Sequence, residues 1–183
     1  MNPVMIAVIV IAVLVVIGVA VMVMRSRERD RLKQHFGSEY ERQVEEAGGS
    51  RLAAEAELAS REKRIKKLDI RPLPPAERDA YFDQWQRVQA GFVDDPEKSI
   101  ALADALVAEV MRARGYPVED FEQRAADISV EHPGLVDNYR AAHAIAERHS
   151  RRQASTEDLR AAFIGYRSLF EELLHADAPE LAH

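Results

Sequence analysis

VMIAVIVIAVLVVIGVAVMVM, residues Val4 to Met24, is followed at once by Arg25-Ser-Arg-Glu-Arg-Asp-Arg31, and the rest of the chain is read outward from this junction. The 21-residue run holds no charge and no strong hydrogen-bonding side chain. At ~1.5 Å of rise per helical residue it reaches roughly 31 Å, the thickness of a bilayer's hydrocarbon core. A single span must be helical, because a helix satisfies every backbone N–H and C=O internally. The run therefore predicts a transmembrane helix over 4–24.

A cleaved signal peptide is the first alternative. It needs a basic leading region, a shorter apolar core and a small-x-small cleavage site. Only Met1, Asn2 and Pro3 precede the run here, and it closes on Val21-Met-Val-Met24. A buried helix of a soluble domain is the second, but it would show a polar stripe. The reading that remains is a retained signal-anchor. Arg25, Arg27, Arg29 and Arg31, with Lys33, outweigh Glu28 and Asp30 on the C-terminal flank. The positive-inside rule then sets the N-terminus outside the plasma (inner) membrane and the remainder in the cytoplasm, as a single-pass protein. The same arginines can touch anionic headgroups at about 1 kcal/mol each.

The net charge of −6 falls entirely after the run. Residues 25–67 hold 12 basic and 9 acidic side chains, whereas residues 68–183 hold 13 basic and 22 acidic. An acidic distal module argues against nucleic acid as a partner, since phosphate binding needs clustered Lys and Arg. The chain has no cysteine, which excludes a disulfide scaffold, a lipid-modified cysteine and a cysteine zinc site.

Four segments follow from punctuation and periodicity: an anchor (1–24), a juxtamembrane basic segment with a helical stalk (25–70), a helical bundle (71–175) and a disordered tail (176–183). In the stalk, Leu32, Phe36, Tyr40 and Val44 recur every four residues across Gly37. Ser38-Glu-Tyr-Glu41 has the form of a capping box, Gly48-Gly49 stops a helix, and Ser50 can cap the next. Glu57–Arg61 and Glu62–Lys66 stand at i,i+4, each worth roughly 0.2–0.5 kcal/mol. This segment reads as a charged stalk helix, with a dimeric coiled coil as the alternative.

Arg71-Pro-Leu-Pro-Pro75 resembles a polyproline ligand, but Glu77 stands where a further proline is wanted, so it reads as a stiff linker whose Pro75 opens a helix. Beyond it, apolar residues keep the helical period in five runs. They are centred on Tyr81–Phe92, Ile100–Met111, Val118–Ile128, Leu135–Ala146 and Leu159–Leu174, with stops at Pro96, Gly115, Pro117 and Pro133. No run alternates with period two. The expected fold class is all-α: a transmembrane helix, a charged stalk and a C-terminal bundle of about five helices.

Chemistry-bearing motifs are few. Glu172-Leu-Leu-His175 is half of a di-iron motif, with no second half. His143 and Glu147 stand one turn apart on the fourth run, without a His-Glu-x-x-His pattern. No Gly-rich phosphate loop or nucleophile elbow is found, so no catalytic residue, cofactor site or metal site is assigned. The most sequence-specific stretch is Arg114 to Pro133. There Asp120, Arg124 and Asp127 share one helical face, bracketed by Tyr116 and His132. These five residues form a candidate interaction surface, with Arg124 able to recognise a carboxylate or phosphate. The same spacing equally describes an intrahelical ion-pair row.

This stretch, with Phe92-Val-Asp-Asp-Pro96 before it and Asn138-Tyr-Arg-Ala-Ala-His143 after it, resembles an uncharacterised bacterial family. Its members place a small helical domain after one N-terminal membrane helix, and the resemblance covers Phe36 to Leu174. It implies architecture and a bacterial origin, with no assigned activity. The expected role is a membrane-anchored module that binds a protein partner as well as the lipid bilayer. The rivals are a tethered enzyme or small-ligand receptor, with Tyr139, His143, Glu147 or Arg124 in a pocket between helices, and a structural spacer or oligomerising element.

Overall fold

Among the described residues, Gly and Pro stops and the Ser155 cap divide the helix-period runs into eight α-helices, and no strand occurs. The computed structural model describes the backbone of residues 3–150 and 154–176 and the side chains of residues 11–149 and 154–176. The elements are α1 (Pro3–Phe36), α2 (Ser38–Glu46), α3 (Arg51–Ile65), α4 (Pro75–Gly91), α5 (Pro96–Arg114), α6 (Phe121–Glu131), α7 (Pro133–Ser150) and α8 (Thr156–His175). The five runs expected beyond the linker are α4 to α8. The expected tail lies, from residue 177 on, outside the described residues.

Helix ends follow local chemistry. Pro75 opens α4, where its missing N–H costs nothing. The side chains of Asp95, Asp120 and Ser155 accept backbone N–H bonds from Lys98, Gln123 and Asp158 at 3.0, 2.8 and 3.2 Å. Ser155 and Asp158 complete a reciprocal capping box. Gly115 closes α5 at φ 102°, and a Cβ there would lie 2.4 Å from the Asp69 carbonyl oxygen. That contact seats the linker against the end of α5, where the Arg71 N–H donates to the Arg114 carbonyl at 2.9 Å.

The core forms around α8. Phe170, Leu169 and Leu173 are fully buried, and Trp85 of α4 stacks on Phe163 and Phe170 with ring centroids 5.0 and 4.7 Å apart. Burying a side chain of this size stabilises by roughly 2–3 kcal/mol. On its other side α8 approaches α7 closely, because Gly165 presents no Cβ to the Asn138 carbonyl. Arg114 is buried completely and ties two chain segments together. It donates to the Arg71 carbonyl at 3.3 Å and to the Leu173 carbonyl, near the end of α8, at 3.1 Å.

The segment expected to be a stalk is instead part of the bundle. Leu32 and Phe36 at the end of α1, Tyr40 of α2 and Leu58 of α3 all join the core cluster. The four-residue repeat marks a face packed on α3 and α7, not a free helix. Two local expectations change with it. Ser38 does not cap α2; its hydroxyl donates to Asp137 on α7. Glu62 leaves Lys66 and binds Arg31 of α1 at 2.8 Å, while Glu57–Arg61 forms as expected at 3.1 Å.

Helix α1 continues without a break from the apolar run into this core. Its large apolar side chains from Ile11 to Met24 are exposed along the helix. Residues 4–10 of the run lie outside those whose side chains are described, and among the described residues no helix is long and apolar enough to cross a membrane.

Candidate functional site

The five residues singled out on and around α6 do not form one surface. Asp120 is exposed and caps α6. Arg124 turns to α5, with Nη2 3.6 Å from Asp104 Oδ2 and its guanidinium 5.9 Å from the Phe121 ring centre. Asp127 is buried completely and accepts from Arg64 of α3 at 2.7 and 2.9 Å and from Gln123 Nε2 at 2.9 Å. The expected Asp120–Arg124–Asp127 row is therefore replaced by three separate links to α5, α3 and the helix's own N-terminus. Neighbours on a helix face pair only where nothing closer competes, and here two other helices offer better partners.

Tyr116 and His132 lie together at the far end of α6. Tyr116 is buried, and its hydroxyl donates to Glu131. Burial, with the Glu131 charge, pushes its phenol well above the usual range. His132 Nδ1 sits 3.2 Å from Glu172 of α8. Burial pulls its imidazole below its ordinary value against the opposing pull of Glu172 and Glu131. Glu172, of the lone Glu172-Leu-Leu-His175 half-motif, is thus paired with His132.

Elsewhere among the described residues, polar side chains line cavities at two places. The first, about 320 Å³, opens between α2, α3, α6 and α7 and is lined by Arg42, Arg61, Arg64 and Arg140 among carboxylates. At its edge Glu39, fully buried, accepts from Arg42 at 2.6 and 2.7 Å, Arg61 at 2.8 Å and Arg140 at 3.4 Å. Burial alone would raise its carboxyl, but the Arg42 bonds, the Arg140 charge and Arg61 together hold it below the usual carboxylate range. Each of these arginines already faces a carboxylate, so the cluster fastens α2 and α3 to α7 and leaves no free anion site.

The second cavity, also about 320 Å³, lies between α5, α7 and α8. Its walls include Ile100, Ala101, Ala146 and Leu159, and its polar lining is Glu97, Asp104, His143, Glu147, His149 and Tyr166. His143 stacks flat on Phe121, centroids 3.6 Å apart, and its Nε2 is 3.8 Å from Glu147. His149 Nε2 is 3.1 Å from Glu97. Asp104 Oδ1 is buried with no hydrogen-bond partner, and Tyr166, fully buried beside it, completes no well-formed hydrogen bond. Burial and the Asp104 charge push the Tyr139 and Tyr166 phenols above their ordinary range, so both are protonated at neutral pH.

Of the four residues read as pocket groups, His143 and Glu147 line this cavity. Arg124 stands behind Asp104, and Tyr139 packs edge-on to Tyr166 with centroids 5.9 Å apart. Asp104 and Tyr166 were missed because each sits within an apolar helical run that reads as core. Among the described residues no group of three His, Asp or Glu is placed to hold a metal ion. Comparison with protein-family profiles, curated proteins and solved structures finds no match.

Proposed function

We propose that the chain is a single-pass plasma-membrane protein, N-terminus outside, whose cytoplasmic helical module binds another protein. The observation that carries the anchor is the continuity of α1: an exposed apolar rod from Ile11 to Met24 becomes a core helix at Leu32 and Phe36. So long an exposed apolar surface calls for an apolar covering. The basic flank at its inner end supports the orientation. Arg25 and Arg27 are exposed at this end, while Arg29 and Arg31 bind Glu55 and Glu62 of α3 at 2.8 Å and so brace the module against the anchor.

The protein-binding reading rests on the α4–α5–α8 half of the bundle. Phe82, Val93, Leu102 and Ile164 remain exposed there, while the residues first suspected, Tyr116, Asp127 and His132, are buried or nearly so. A partner surface is therefore sought on α4, α5 and α8 and not on α6.

The test is crosslinking in native membranes followed by purification in detergent, comparing wild type with Phe82→Ser and Val93→Asp. A defined partner lost in either variant, with the melting temperature kept, supports the reading. Recovery of the same set of proteins in all three contradicts it. Release of the protein by alkaline carbonate contradicts the anchor.

A further inference from the structure

We infer that the outward face of α3, with Leu52 at its start and Lys63, Lys66 and Lys67 at its end, lies on the inner leaflet and binds anionic phospholipid headgroups. The inference rests on the anchor reading of α1 and adds a second contact with the same bilayer.

The pairing with α1 fixes how α3 lies. Arg29 and Arg31 leave α1 on opposite flanks, because two residues turn a helix by more than half a revolution. They reach Glu55 and Glu62 at 2.8 Å. Those carboxylates stand two turns apart on α3, so α3 crosses α1 and does not run beside it. Leu58, between them, joins Leu32 in the core cluster. Arg61 turns the other way, to Glu39 and Gln43 of α2, beyond the end of α1. The face opposite Arg61 therefore looks along α1 toward Met24. Leu52, Ala56, Ala59 and Lys63 fall on it at helical spacing, and Lys66 and Lys67 follow where the helix ends.

The crossing point sets the depth. Arg29 and Arg31 stand five and seven residues beyond Met24, roughly 8–10 Å along the helix. A helix about 10–12 Å across at that level brings its near face within roughly 2–5 Å of the end of the apolar run. The headgroup layer on each side of the hydrocarbon core is about 5–7 Å deep, so the face falls inside it.

The charge fits that layer. Glu55 and Glu62, on the edge of the face nearest α1, are engaged by Arg29 and Arg31. Lys63, Lys66 and Lys67 are exposed, and among the described residues none of them pairs with a carboxylate. Arg25, exposed two turns before Leu32 on the same side of α1, adds a further cation above the face. Leu52 is 66% exposed at the other end. Apolar and basic side chains sharing a face in this layer are what an interfacial helix uses to hold anionic lipid.

The test uses the full chain with Ala56→Cys, on this face, or Val93→Cys, between α4 and α5, as the single thiol carrying a fluorophore. Each is placed in phosphatidylcholine nanodiscs, and quenching is titrated with phosphatidylcholine or phosphatidylglycerol spin-labelled near the headgroup. Both lipids should quench at residue 56 and neither at residue 93. Phosphatidylglycerol should reach half-quenching at a concentration at least about fivefold lower, the effect of one basic residue at a charged surface. Changing Lys63, Lys66 and Lys67 to Gln, all exposed and so harmless to the fold, should abolish that preference and keep the quenching. No more quenching at 56 than at 93, in discs that retain the chain, overturns the proposal and leaves the anchor standing. Equal half-quenching by the two lipids, or a preference unchanged in the lysine variant, overturns the anionic-lipid assignment. Failure of the chain to be retained by the discs overturns the anchor and this inference together.

Discussion

Arg64 of α3 grips the fully buried carboxylate of Asp127 on α6 through Nε at 2.9 Å and Nη2 at 2.7 Å, across 63 residues of sequence. The contact places the charged segment of residues 25–70 and the distal bundle in one folded unit. It also explains why the ion pairs expected within α6 do not form.

The two sides of this pair are unequal. Arg64→Met leaves a buried carboxylate with only Gln123 as donor and should lower stability by about 1–3 kcal/mol. Asp127→Asn leaves a guanidinium that is one-third exposed and can turn to water, so its loss should be smaller. Urea unfolding followed by the fluorescence of Trp85, the single tryptophan, ranks them. Equal losses, or a larger loss for Asp127→Asn, would contradict this assignment.

Glu39 predicts acid sensitivity. Its carboxyl titrates below the ordinary value of 4.5 in the folded protein, so the unfolded chain binds the proton first. The stability it contributes is complete above that ordinary value and is lost as pH falls through the folded value. In a melting series from pH 7 to 3, Glu39→Gln should be less stable at neutral pH and show a shallower decline below about pH 4.5. Parallel curves for variant and wild type would remove Glu39 from the acid transition.

His132 acts at a higher pH. Its folded value lies below 6.5 because burial disfavours the charged ring, so stability is complete above 6.5 and declines as pH falls through the folded value. His132→Asn should flatten the melting curve between about pH 6.5 and 5, a window in which Glu39 is silent. An unchanged slope there would count against a buried neutral imidazole.

Gly165 sets the separation of α7 and α8. A Cβ would lie 2.7 Å from the Asn138 carbonyl oxygen and 3.1 Å from Ala142 Cβ, so Gly165→Ala forces backbone movement and should cost about 1–3 kcal/mol. Gly134 in the first turn of α7 has nothing within 4 Å of its virtual Cβ. Gly134→Ala should therefore be neutral or stabilise by about 0.5–1 kcal/mol. Similar melting temperatures for the two variants would contradict the close-approach reading.

The helices themselves were legible, because Asp95, Ser155, Pro75 and Gly115 act through neighbours within a turn. Long-range partners were not. Leu32, Phe36 and Tyr40 announce an apolar face, yet nothing in their spacing says that α3 and α7 will cover it. Arg61 reads only as an i,i+4 partner of Glu57 and Arg64 as one charge of the stalk helix; their partners Glu39 and Asp127 stand 22 and 63 residues away. His143 and Glu147 were visible as a pair one turn apart. Asp104 and Tyr166 were hidden in apolar runs, since a single polar residue does not alter a helix's hydrophobic period.

The absence of cysteine makes the topology directly measurable. Asn2→Cys and Val93→Cys each introduce one thiol, the second at a side chain that is 86% exposed. Intact cells are treated with a membrane-impermeant maleimide before and after permeabilisation. A membrane-anchored protein with its bundle inside predicts labelling of Asn2→Cys in intact cells and of Val93→Cys only after permeabilisation. Labelling of Val93→Cys in intact cells, or recovery of the full chain in the soluble fraction, would contradict it.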